Sequence, residues 1–157
     1  MSLSTTIKSI QDIMRKDVGV DGDAQRIGQL VWLLFLKIWD DREQELEQLE
    51  DSFRSPLVGV RWIDPAGEAH EAPDLRWRAW AANPEGMTGE ALLAFVNDTL
   101  FPALKGLEPG PRIEDDPAAE ALRRRRALVK GVFEDAYQYM KSGILLRQVI
   151  NKAQEEI

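Results

Sequence analysis

The sequence has no cysteine. A disulfide framework, a thiolate nucleophile and a Cys-ligated zinc or iron–sulfur site are therefore excluded. Histidine occurs once, at His70. A multi-histidine metal site and most histidine-based catalytic arrangements thus lack parts. Long apolar runs are also missing. The longest, Leu30 to Leu36, falls well short of the ~20 residues that span a bilayer. The N-terminal stretch lacks the apolar segment of a secretory signal. The expectation is a cytoplasmic protein with no membrane partner. No GxGxxG, no GxxxxGK followed by Ser or Thr, and no GxSxG occurs, so neither a phosphate cradle nor a nucleophile elbow can be placed. Positive charge is scarce. Lys and Arg number 20 against 27 Asp and Glu, a net charge of −7. A protein that coats nucleic acid by charge alone carries the opposite sign.

What is present is apolar material enough for one core. The chain has 157 residues, of which 44% are apolar. Residues 1–157 read as a single domain. Ile7, Ile10, Ile13 and Met14 share one face of a helix over Ser4 to Asp17, which Ser4 can cap. After a break at Val18 to Gly22, a long helix is predicted over Gly22 to Ser52, with Asp21 as its cap. Its middle, Leu30 to Trp39, is apolar around nearly the whole circumference, which puts that helix at the centre of the domain. Its end, Asp40 to Asp51, is strongly acidic and reads as solvated.

Proline and glycine then become frequent. Val58, Val60 and Trp62 alternate with other residues in a short strand pattern, and Asp64-Pro65-Ala66-Gly67 suits a type I turn. A small hairpin or loop insertion is expected around residues 57–81. A helix follows Thr88 and reaches about Lys105. Pro102 should kink or break it near Phe101. Pro117 opens another helix, which Gly131 should end near Lys130. Ser142 can cap a last one, Gly143 to Glu156, with Ile144, Leu145, Val149 and Ile150 inward. The fold class is mainly α, a five- to six-helix globular bundle.

No catalytic, cofactor-binding or metal-binding residue can be named. His70 lies between Glu68 and Glu71 in a turn-like segment and reads as a solvated loop residue. Asp40 and Asp41 diverge by about 100° on a helix and make a poor acid–base pair. Asp115 and Asp116, before Pro117, look like capping. Two features could touch a partner or DNA. One is Arg123, Arg124, Arg125 and Arg126, which fan around a helix rather than forming one flat patch. The other is Arg76, Trp77, Arg78 and Trp80, with Arg61 and Trp62. Arg and Trp together can stack bases, anchor a protein interface, or pack a core.

Three stretches carry a resemblance. They are Ile10 to Arg15 with Ile27-Gly28-Gln29-Leu30 to Lys37, Trp77 to Ala81 with Met87 to Asn97, and Val132 to Asp135 with Met140 to Lys152. Together they resemble the N-terminal helical domain of the modification subunit of type I restriction–modification systems. The resemblance implies a full-length protein that transfers a methyl group from S-adenosylmethionine to adenine N6 in DNA. It implies partners: a specificity subunit, a second modification subunit, a restriction subunit, and DNA held within the complex. The helical domain itself is implied to serve assembly and closure around DNA. The adenine methyltransferase motif, Asn or Asp-Pro-Pro-aromatic, holds and stacks a flipped base. The nearest string here is Asn83-Pro84-Glu85-Gly86, without the second proline or the aromatic. The resemblance therefore places the catalytic domain beyond Ile157 and leaves this chain without enzyme activity or cofactor of its own. The alternative is a free-standing helical interaction module or regulator.

Overall fold

The computed structural model describes residues 2–157. Helices α1 (Leu3–Met14) and α2 (Asp23–Leu49) lead into a hairpin of β1 (Arg61–Ile63) and β2 (Ala69–Glu71). The short α3 (Trp77–Trp80) follows, then α4 (Gly89–Ala94), a π-helical turn (Phe95–Leu100) and α5 (Phe101–Lys105), then α6 (Pro117–Glu134) and α7 (Gly143–Glu156). The fold is mainly α with a small antiparallel sheet, as the sequence predicts. No helix among the described residues is long and apolar enough to cross a membrane.

The helix ends follow local chemistry, with some shifts from expectation. Ser2, not Ser4, caps α1, its hydroxyl accepting from Thr5 N–H. Asp21 does not cap α2. Gly22 occupies the cap position, and the Asp21 N–H instead donates to Gln25 Oε1 at 2.9 Å. Asp116 and Ser142 cap α6 and α7 by accepting from Ala119 and Leu145 N–H, as expected. Helix α6 does not stop at Gly131. It runs on to Glu134, because Val129 and Phe133 on either side of the glycine are both buried.

Pro102 does not break the helix as expected but is accommodated by a π-helical turn. Lacking an N–H, and with a ring that crowds the preceding turn, it cannot sit inside a regular helix. The preceding turn widens instead, so that Phe101 N–H reaches the Val96 carbonyl, five residues back. The chain from Gly89 to Lys105 thereby stays helical throughout.

The core joins α1, α4 and α7 on one side to α2, α5 and α6 on the other. Phe101 meets Trp32 edge-on at 4.9 Å and Phe133 at 5.4 Å, linking α5 to α2 and α6. Backbones touch where α4 and α7 begin. A Cβ on Gly143 would lie 1.8 Å from the Gly89 carbonyl oxygen, and Gly89 itself has φ +57°. Both positions therefore require glycine. On α7, Leu146 turns inward and Ile144 faces solvent, against the expected assignment. Buried polar side chains stitch distant segments together. Asp17 accepts from the N–H groups of Gly19, Lys141 and Ser142. Gln29 bonds Gln138 Oε1 and Tyr139 N–H at 2.8 and 2.7 Å.

Candidate interaction surface

The Arg–Trp segment lies on α3, and the structure takes the core alternative for its tryptophans. Trp77 and Trp80 are 1% and 6% exposed. Trp77 Nε1 donates to Gln154 Oε1 at 2.7 Å and Trp80 Nε1 to the Leu75 carbonyl at 3.2 Å. Their rings meet at 5.7 Å, and Trp80 also packs on Phe95 at 5.5 Å. A buried indole needs an apolar bed and an acceptor, and each has both.

The two arginines turn the other way, onto the acidic end of α2. Arg78 Nε donates to Asp40 Oδ1 at 2.8 Å, and its Nη1 to Glu47 Oε2 at 2.9 Å. Arg76 holds Asp74 at 2.6 Å and approaches Glu47 at 3.7 Å. Burial works against the Arg78 charge, but the bonds to Glu47 and Asp40 outweigh it and raise its pKa above the ordinary guanidinium value. The reading of Asp40 to Asp51 as solvated is corrected on the face that meets Arg78 and Ser55, while Glu45, Glu50 and Asp51 stay exposed. Asp40 and Glu43 are each 2% exposed. Glu43 Oε1 accepts from Ser55 Oγ and Trp39 Nε1 at 2.8 and 2.6 Å. Burial still raises the Glu43 pKa, opposed by those two bonds.

The arginine run is likewise committed, each member differently. Glu120 accepts from Arg123 at 2.6 and 2.9 Å and from Arg124 at 2.8 Å. Those bonds, with the Ile113 N–H, hold its carboxyl well below the usual range. The Arg125 guanidinium lies 5.0 Å over the Phe53 ring. Arg126 Nη2 donates to the Val58 carbonyl at 2.9 Å. Only Arg124 leaves most of its side chain, 67%, in solvent. The fan predicted for consecutive helical residues is what lets one run serve several structural partners.

The surface that sequence reasoning missed lies on α2. Ile27, Val31 and Ile38 are 55%, 57% and 54% exposed. Their spacing of four and seven residues aligns them with half-buried Leu34 in one stripe. Helix α2 is thus not enclosed on all sides. Val31 shares the rim of a groove of about 210 Å³ with Val132, Tyr137 and Tyr139. Exposed Leu128 and Tyr137 add apolar area from α6 and the segment after it. The signal was available: apolar residues around a whole helix leave a surplus stripe whenever neighbours cover only one side.

The described residues do not fit S-adenosylmethionine. Their two strands form one antiparallel hairpin, with no parallel strand feeding a helix through a glycine turn. Glycines with positive φ, at 59, 67, 89 and 110, stand singly. Asn83 is occupied in a turn, its Oδ1 accepting from Glu85 N–H at 3.0 Å and its carbonyl from Gly86 N–H at 3.0 Å.

Comparison with known proteins agrees with this architecture. Residues 3–153 match the HsdM N-terminal domain family. The chain is 54% identical over 155 residues to the methylase subunit of the type I restriction enzyme EcoEI of Escherichia coli, covering 99% of this chain and 27% of that protein. It is 34% identical to a modification subunit of a type I restriction enzyme from Vibrio vulnificus in a crystal structure. There the TM-score is 0.71, over 97% of this chain and 30% of that one. The chain thus spans about a quarter to a third of the length of these relatives. Matched over nearly all its residues, it belongs to the HsdM N-terminal domain family, the N-terminal part of type I restriction-enzyme methylase subunits.

Proposed function

We propose that this chain, folding as one unit over residues 1–157, is the non-catalytic assembly domain of a type I DNA methylase. It acts in the cytoplasm, docking against the specificity subunit, a second modification subunit and the restriction subunit, and helping to close the complex around DNA. Methyl transfer from S-adenosylmethionine to adenine N6 belongs to the catalytic part of the full-length subunit, not to these residues.

The observation that carries this reading is the α2 stripe. Its three aliphatic side chains Ile27, Val31 and Ile38 stand more than half in solvent along one line of the longest helix of the domain. A rim of tyrosine and aliphatic residues continues them. Contiguous apolar surface of this kind marks a protein contact. The basic residues point the same way. Independent duplex binding needs several cations aligned on phosphates, and the arginines of α3 and α6 are spent on carboxylates, carbonyls and a ring. The test is Val31→Glu with Ile38→Glu in the full-length subunit. Loss of co-purification with the other subunits, at unchanged thermal melting, is expected. Normal assembly of the double variant would remove the stripe from the interface.

A further inference from the structure

The hairpin holds the chain's one histidine in an unforeseen setting. His70 lies on β2, half-buried, paired across the sheet with Trp62. Its ring stacks on the Trp62 indole at 4.4 Å between centroids and 24° between planes. Its Nε2 donates to Asp64 Oδ2 at 2.7 Å. Asp64 opens the turn predicted from Asp-Pro-Ala-Gly. Gly67 N–H closes on its carbonyl at 2.9 Å, and Glu68 N–H bonds its Oδ1 at 2.9 Å. Strand β1 is held on both edges: beyond β2, Ile63 N–H donates to the Gly106 carbonyl and Glu108 N–H to the Arg61 carbonyl. The turn therefore stands on a fixed base.

That geometry brings three ligand-bearing side chains together. One donor atom each from Asp64, Glu68 and His70 lies within 4.8 Å of the others. We propose that Asp64, Glu68 and His70 form a binding site for one divalent first-row transition ion, Zn²⁺ in the first instance, clipping the hairpin turn to β2. One imidazole nitrogen and two carboxylates are a donor set that such ions take, with a fourth position left to water. Ligand atoms on a shell of about 2 Å sit about 3 Å apart. The 2.7 Å contact between His70 and Asp64 needs only a small opening to admit the ion. The hydrogen bond is then exchanged for two bonds to metal, the ring proton moving to Nδ1.

The remaining features of the site suit this role. Trp62 fixes the plane of the imidazole, and the Glu68 N–H fixes the Asp64 carboxylate, the outer support that metal ligands need. Glu68 projects into solvent and makes no ion pair among the described residues, so its carboxylate is free to swing inward. The nearby cation, Lys105, does not compete. Its Nζ is held by the Phe133 and Glu134 carbonyls at 2.9 and 3.3 Å.

The test is calorimetric titration of the chain with Zn²⁺, paired with Trp emission during Co²⁺ titration. One saturable ion per chain is expected. So is a partial Co²⁺ quench that disappears in Trp62→Phe, while that variant still binds. His70→Asn should abolish binding. Glu68→Gln, an exposed change that leaves the hairpin folded, should weaken it at least about tenfold, as loss of even an outer support does. Three results would overturn the site: no saturable binding by the wild-type chain, binding that survives His70→Asn, or an affinity indifferent to Glu68→Gln.

Discussion

Two parts of α2, divided at Trp39, invert the usual rule of burial. In the apolar part, Ile27, Val31 and Ile38 stand more than half in solvent. In the acidic part, Asp40 and Glu43 lie almost fully buried. Residue class does not explain this; partners do. The acidic part meets Arg78, which donates to Asp40, and Ser55 and Trp39, which both donate to Glu43 Oε1, leaving Glu43 Oε2 buried without a partner. A carboxylate enters the interior only where such donors meet it. The aliphatic part has a neighbour on one side only, where Trp32, Leu33 and Leu36 join the core. Exposed grease with no neighbour is a cost that a solitary domain has no reason to carry, and it is the natural state of a domain whose neighbour is another protein.

The contrast is broken most severely at Asp40. Asp40→Ala removes one of the two carboxylates that Arg78 holds, leaving Glu47 and an already unpartnered Nη2. Losing a hydrogen bond between charged groups costs about 1.5–3 kcal/mol. Chemical denaturation should show a loss of that size. A loss under about 1 kcal/mol would mean that the acidic part is as solvated as its composition suggests.

The opposite outcome is expected on the aliphatic stripe. Val31→Ser and Ile38→Ser remove exposed area that nothing in the domain covers. Stability of the chain should stay within about 0.5 kcal/mol. Assembly of the full-length subunit should weaken by about 1 kcal/mol per residue, read as roughly thirtyfold in affinity for the pair. A drop in melting temperature instead would return the stripe to the core.

The inversion also marks where the sequence could be read and where it could not. The helices, the hairpin turn and the Pro102 disturbance rest on short-range rules, so spacing and capping residues reveal them. The three stretches that carry the family resemblance turn out to meet in space. Gln29 of the first bonds Gln138 and Tyr139 beside the third. Arg147 of the third reaches the carbonyls of Ala81 and Met87 around the second. Their pattern is one of tertiary fastening. What stayed hidden is pairing over long separations. Arg78 finds Asp40 across 38 positions, and Arg126 finds Val58 across 68. No local pattern tells a solvated acidic helix end from one docked on distant arginines. The same blindness made His70 a loop residue, because the Asp64 and Trp62 that fix it become its neighbours only once the hairpin closes.

A finer probe of the buried part uses pH. Burial raises the Glu43 pKa above its ordinary 4.5, so the folded state holds that proton more tightly than the unfolded chain. The resulting stabilisation is complete below about pH 4.5 and is lost as pH rises through the folded value. Glu43→Gln keeps an oxygen for Ser55 and Trp39 and abolishes the titration. The variant should match wild type in acid and exceed it progressively above that window, in urea melts from pH 4 to 8. Asp74, whose pKa is lowered and which acts in the reverse sense, is common to both proteins and cancels in the difference. A difference that does not change with pH would mean Glu43 is not desolvated.

The smallest effect is expected at Arg124, where the protein-contact reading is most exposed to refutation. Its Nε bonds Glu120 while most of the side chain lies in water. Such a pair contributes about 0–1 kcal/mol to stability, so Arg124→Ala should barely move the melting curve. Its value is in DNA binding by the assembled enzyme. Each phosphate contact adds about one unit to the slope of log affinity against log salt. If the basic residues of α6 serve the fold, as their partners indicate, Arg124→Ala leaves that slope unchanged. A slope reduced by about one would place Arg124 on a phosphate. It would also make α6 part of the DNA-facing side, on the one arginine of the run that the fold leaves open.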